Sequence, residues 1–98
     1  MNKIQTAASL LREVSKNTTD AAAFAVKVSK EGNRITLTAD KKRRGPGYGT
    51  LETFYHERDV VQICGALDLS FWFAARLDKD VNGIEVPAFA VEIYHYGK

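Results

Sequence analysis

The sequence predicts an α+β domain, two helices packed on a four- or five-stranded, mainly antiparallel sheet, and three patterns carry that expectation. Ile4, Ala7, Ala8, Leu11 and Val14 recur at helical spacing while Gln5, Ser9, Arg12, Glu13 and Lys16 fall on the other side. Phe24, Val26, Val28 and then Ile35, Leu37, Ala39 alternate with polar or small residues on either side of Glu31-Gly32-Asn33, the pattern of a hairpin. Two further apolar segments, 71 to 77 and 87 to 96, flank a turn-forming stretch from 78 to 83.

Each element follows from its residues. The first helix ends in Asn17-Thr18-Thr19-Asp20, a polar stretch that also fits a glycosylation sequon but reads as a helix stop. Leu51, Phe54, Tyr55, Val61 and Cys64 fit helical spacing, although Thr50 to Tyr55 alone could form a short strand; a helix is expected at least over 57 to 67, with Gly65 as its stop. Phe71-Trp72-Phe73-Ala74-Ala75-Arg76-Leu77 reads as an aromatic-rich strand. Pro87 restricts itself to the start of the last strand, as a missing N–H requires. The order is helix, two or three strands, helix, two strands, and 98 residues make one domain that buries somewhat over 60% of its unfolded surface.

Composition narrows the classes. With 45% hydrophobic and 27% charged residues the chain is an ordinary globular one. No apolar run approaches the roughly 18 residues of a membrane span, and the N-terminus leads into no signal-peptide core, so a cytoplasmic protein is expected. Cys64 is the single cysteine; it reads as core filling and excludes an intrachain disulfide. Charge is divided: residues 1 to 50 carry ten Lys or Arg against four Asp or Glu, and residues 51 to 98 carry four against eight. A surface of two signs suits a partner with both signs, or head-to-tail association into a homodimer, as well as nucleic acid.

The strongest functional signal is Lys41-Lys42-Arg43-Arg44-Gly45-Pro46-Gly47-Tyr48-Gly49, four consecutive cations entering a glycine-rich segment. Adjacent charges repel by about 1 kcal/mol per close pair even in water, so an exposed run gains from an anionic partner. Lys41, Lys42, Arg43 and Arg44 are expected to meet phosphates, with Tyr48 stacking on a base or packing on a sugar. On the last strand Tyr94 and Tyr96 fall on the less apolar face; should Trp72 and Arg76 share it, the sheet presents an aromatic patch that stacks bases or binds proteins, unless a helix covers it.

Arg44-Gly45-Pro46-Gly47-Tyr48-Gly49 also resembles the arginine, two spacers, glycine, one spacer, glycine pattern of the GNAT family of N-acetyltransferases, over roughly residues 35 to 73. The resemblance implies a backbone cradle for a pyrophosphate formed by Gly47 and Gly49 with Arg44 beside it, ahead of a helix from Thr50 to Cys64. Pro46 departs from it by lacking an amide hydrogen, and residues 78 to 96 read as turn and strand where that family places a helix.

Other motifs stop short. Asp78-Lys79-Asp80-Val81-Asn82-Gly83 matches the first half of a calcium loop, but its closing carboxylate position is Phe89; an Asn82-Gly83 turn explains the same residues. His56-Glu57 opens like a zinc-protease helix, yet the second histidine position holds Val60. No nucleophile–base pair, paired carboxylates or complete metal set emerges, and no cofactor is expected. The expectation is a small non-enzymatic binding module contacting nucleic acid or a nucleic-acid-binding protein; the rival is a protein-binding regulator or inhibitor, of a size that suits a phage or mobile-element accessory protein acting on host machinery.

Overall fold

The computed structural model describes residues 2–46 and 50–95. Helix α1 (Lys3–Lys16) starts at Asn2, whose side chain accepts from the Gln5 N–H, and Asn17 ends it with its N–H on the Glu13 and Ser15 carbonyls. A short 3₁₀ turn (Asp20–Ala22) leads into β1 (Phe24–Val28) and β2 (Arg34–Ala39). One helical turn, α2 (Lys41–Arg44), precedes α3 (Glu57–Leu67), and β3 (Ser70–Lys79) and β4 (Glu85–Tyr94) close the order. The four strands form one antiparallel sheet in the order β1-β2-β4-β3. The expected α+β architecture is therefore the observed one, with four strands and an added short helix.

Register explains the core. Val28, Ile35, Ile93 and Phe71 lie opposite one another across all four strands, and Val26, Leu37, Val91 and Phe73 form the next row. These rows share one face of the sheet. Ile4, Ala7, Ala8 and Leu11 of α1 and Val60 and Cys64 of α3 complete the same hydrophobic cluster, so both long helices lie on that face. Leu11, Ile35, Leu37, Val60, Val91 and Ile93 are fully buried, each contributing about 1.5–3 kcal/mol of transfer free energy. Among the described residues no helix is long and apolar enough to cross a membrane.

Three local expectations are corrected and a fourth, the turn at 78 to 83, is met. Lys41–Arg44 is a helical turn because Asp40 caps it, its carboxylate accepting the Arg43 N–H at 3.3 Å, and Gly45 closes it at φ 65°. Residues 50 to 56 are neither helix nor strand: α3 begins at Glu57, and Phe54 reaches the core from an irregular segment, packing 5.1 Å from the Phe89 ring and 5.5 Å from Phe24. Gly65 does not stop α3; the helix continues to Leu67, which packs against the core, and Asp68 ends it in the left-handed region at φ 56° with its N–H on Cys64 and Gly65 carbonyls. The residues that resembled a calcium loop form the β3–β4 turn, where the Asp80 carboxylate accepts from the Asn82 and Ile84 N–H groups and Gly83 sits at φ 79°.

Candidate functional site

The four cations of 41 to 44 do not form a single exposed run. A helical turn sends successive side chains in different directions, and the surroundings claim three of them. Arg44 points inward and is fully buried: its Nε donates to the Ala23 carbonyl at 2.8 Å and its Nη1 to the Thr50 and Thr53 carbonyls at 3.1 and 3.0 Å. The guanidinium lies 5.3 Å from the Phe89 ring centre and 5.9 Å from Tyr55, so aromatic faces supply part of the stabilisation that no carboxylate provides. Burial lowers its pKa from the usual arginine value, opposed by the Tyr55 and Asp40 charges. Arg44 is thus a structural pin joining Ala23 at the entry to β1, α2 and the 50–53 segment, and it is corrected from a surface anion contact to a core residue.

Arg43 caps α1. Its Nη1 donates to the Ser15 carbonyl, its Nη2 to Thr18 at 2.8 Å, and its Nε to Asp20 Oδ1 at 3.0 Å. Helix C-terminal carbonyls lack intrahelical donors, and a cation there also meets the negative end of the helix dipole. Lys41 Nζ pairs with Asp78 Oδ1 at 3.0 Å. Only Lys42, among these four and within the described residues, is exposed without a hydrogen bond or ion pair. Tyr48 and Tyr96 lie outside the described residues, as do Gly47 and Gly49 of the acetyltransferase-like pattern. The helix that such a phosphate cradle requires begins at Glu57, well beyond Gly49.

The Lys41–Asp78 pair has a pH signature. The Lys41 hydrogen bond, with the Lys79 N–H and the charge of Arg76, holds the Asp78 carboxyl below its ordinary value. A lowered folded-state pKa contributes stability above the ordinary carboxylate range, lost as pH falls through that range and then through the folded value. Lys41→Ala is expected to flatten this acid loss while changing neutral stability by at most about 1 kcal/mol, because both groups are partly exposed. Urea midpoints from pH 7 to about pH 3 measure it; an unchanged acid slope in the variant would remove the pair as its source.

A second cluster was not legible from sequence. His56 Nδ1 meets Asp59 Oδ2 at 3.0 Å and His56 Nε2 meets Thr18 Oγ1 at 3.0 Å, a hydroxyl–imidazole–carboxylate chain. With Nδ1–H donating to the carboxylate, a neutral ring accepts the Thr18 O–H at Nε2. That order is shared with nucleophilic triads. Here the imidazole packs on Phe24 and Phe54, at centroid distances of 5.5 and 6.4 Å, and only 16% of the side chain meets solvent. The chain braces the end of α1 against the start of α3.

The remaining site residues assemble on the sheet face opposite the helices. Strand alternation puts Trp72, Ala74, Arg76 and Asp78 of β3 on that face, with Ala88, Ala90, Glu92 and Tyr94 of β4. One cross-strand row runs Lys27, Thr36, Glu92, Trp72; the next holds Arg34, Tyr94 and Ser70. Trp72, Arg76 and Tyr94 therefore do share a face, and neither long helix covers it. Trp72 is 49% exposed. Between it and Arg76 the paired positions carry only alanine, Ala74 opposite Ala90 and Ala88 opposite Arg76, and of these Ala88 and Ala90 are buried while Ala74 is partly exposed. Charges of both signs border it: Arg34 pairs with Glu92 at 3.5 Å, and Lys41 with Asp78.

Among the described residues no group of three metal-ligating side chains comes together. No family model, curated protein or solved structure matches the chain.

Proposed function

We propose that the chain is a non-enzymatic, protein-binding regulator, acting in the cytoplasm, that docks its partner on the helix-free face of the sheet. The observation that carries this reading is the placement of half-exposed Trp72 on one face with exposed Arg76, bordered by the Arg34–Glu92 and Lys41–Asp78 pairs. A large aromatic at the centre of a patch gives the desolvated anchor on which interface energies concentrate, and charges of both signs at the rim fix orientation. Polyanions are served less well, since three of the four cations in the basic run are engaged within the fold and Glu92 lies directly opposite Trp72.

A second reading has its own support. Trp72, Arg76, Tyr94 and Lys27 share the uncovered face, which suits base stacking with nearby cations, and Lys42 remains free to meet a phosphate. The charge division along the chain also suits a second copy as partner.

Quantitative affinity capture with the wild type, Trp72→Ala and Lys42→Ala separates these readings. A protein partner retained by the wild type and by Lys42→Ala, but weakened about 30-fold by Trp72→Ala, is the expected result, corresponding to about 2 kcal/mol. Equal capture by all three chains overturns the sheet-face reading. Short fluorescent DNA and RNA in the same experiment report the alternative: binding that falls with salt and weakens in Lys27→Ala, Lys42→Ala and Arg76→Ala would transfer the function to nucleic acid.

A further inference from the structure

Strand β3 is a sheet edge that the fold leaves open. Among the described residues it pairs with β4 alone, in uninterrupted one-to-one register over all ten of its residues, so no bulge turns it aside. It contains no proline. Natural edges are blunted by shortness, proline, bulges or inward charges, because their unpaired N–H and C=O groups template another strand. The opposite edge obeys that rule: β1 has five residues, and its first, Phe24, has both main-chain groups bonded to Ser15 Oγ. On β3, by contrast, Trp72 is 49%, Phe73 40% and Leu77 65% exposed.

We propose that β3 pairs antiparallel with β3 of a second copy about a two-fold axis at Ala74, joining two four-stranded sheets into one of eight. The sequence of the strand is self-complementary about that point. An isologous contact pairs each residue with its mirror about the axis, and the sheet stays continuous only if partners share a face. With the axis at Ala74, Trp72 lies opposite Arg76 of the second copy on the open face, and symmetry makes that cation–π pair twice. Phe71 meets Leu77 and Phe73 meets Ala75 on the other face, while the small Ala74 meets itself without a clash. Moving the axis to Ala75 sets Trp72 against Asp78 and Phe71 against Lys79; moving it to Phe73 sets Arg76 against Ser70 and leaves the guanidinium no ring. Of these three registers, only the axis at Ala74 sets the cation against a ring. This association does not rest on the partner-binding role proposed above, although Trp72 enters both, and it sets two copies of the open face side by side.

Sedimentation equilibrium tests the association and cysteine cross-linking tests the register. The wild type is expected to rise from 10.9 kDa toward twice that mass across the micromolar to submillimolar range, as suits a small reversible interface. Ala74→Lys places two ammonium groups opposite each other at the axis and is expected to hold the monomer with an unchanged circular dichroism spectrum. Ala74→Cys is expected to form a disulfide-linked dimer on mild oxidation, since directly opposed Cα atoms are about 4.5–5.5 Å apart, whereas Ala75→Cys is not. Cys64 stays out of the reaction because it is buried and its thiol pKa is pushed up to about 11 by desolvation. A wild type that remains at 10.9 kDa overturns the dimer, and cross-linking at 75 in preference to 74 overturns the register. Either failure leaves the Trp72 capture result standing, so the two proposals fall separately.

Discussion

Arg44→Ala is expected to destabilise the fold by about 3–5 kcal/mol, from the donors it removes and the buried volume it empties. Three carbonyls, of Ala23, Thr50 and Thr53, lose their donor at once, and the space beside Phe89 and Tyr55 is emptied. Unmade hydrogen bonds to buried or partly buried groups cost about 1–3 kcal/mol each, offset where the 50–53 segment opens to water. For a chain of this size the loss corresponds to a fall in Tm of roughly 15–30 °C. Arg44→Lys is expected to recover only a minor part, since an ammonium cannot present the planar fork that reaches both Ala23 and the 50–53 carbonyls. Thermal unfolding followed by circular dichroism measures both variants. A loss below about 1 kcal/mol for the alanine variant would return Arg44 to the surface and restore the basic run as a unit.

Ser15→Ala carries the next largest effect, about 2–3 kcal/mol. The Ser15 hydroxyl donates to the Phe24 carbonyl at 2.6 Å and accepts the Phe24 N–H at 3.0 Å, within a buried contact between α1 and β1. It takes the place of a neighbouring strand at the start of the β1 edge. Alanine leaves both main-chain groups of Phe24 without a partner and admits no water to replace it, Ser15 being 6% exposed. Ser15→Thr keeps the hydroxyl and is expected to retain more stability than alanine, which separates the hydrogen bonds from simple packing. Denaturant midpoints decide the matter: equal losses in the two variants would assign the effect to volume, not to hydrogen bonding.

Much of the architecture was readable in advance because hydrophobic period is a property of the chain itself. The α1 stripe Ile4, Ala7, Ala8, Leu11 is the observed buried face, and the alternating residues of β1, β2 and β4 are those turned toward the helices. The same alternation groups Trp72, Arg76 and Tyr94 on one face, while whether a helix covers that face was left open. Helix α2 escaped notice even though its signals were present: Asp40 as an N-cap and Gly45 as a C-terminal stop bracket the four basic residues. The spacing of Leu51, Phe54 and Tyr55 fits a helix or a short strand, but a single aromatic can reach the core from a loop just as well.

The fates of Lys41, Arg43 and Arg44 were not written in their local sequence. A run of cations looks like one patch as long as only neighbours along the chain are considered. These partners come from 21 to 37 residues away: Asp20 for Arg43, Ala23 for Arg44, Asp78 for Lys41. The same holds for Thr18, His56 and Asp59, where the hydroxyl and the ring are separated by 38 positions. Side-chain alternation and helical period are fixed by backbone geometry, so the sequence by itself determined the fold class, the core faces and the aromatic character of the sheet. Which charges remain available to a partner depends on distances between segments remote in the chain, and only their packing decided that Arg44 is enclosed while Trp72 and the β3 edge stay open.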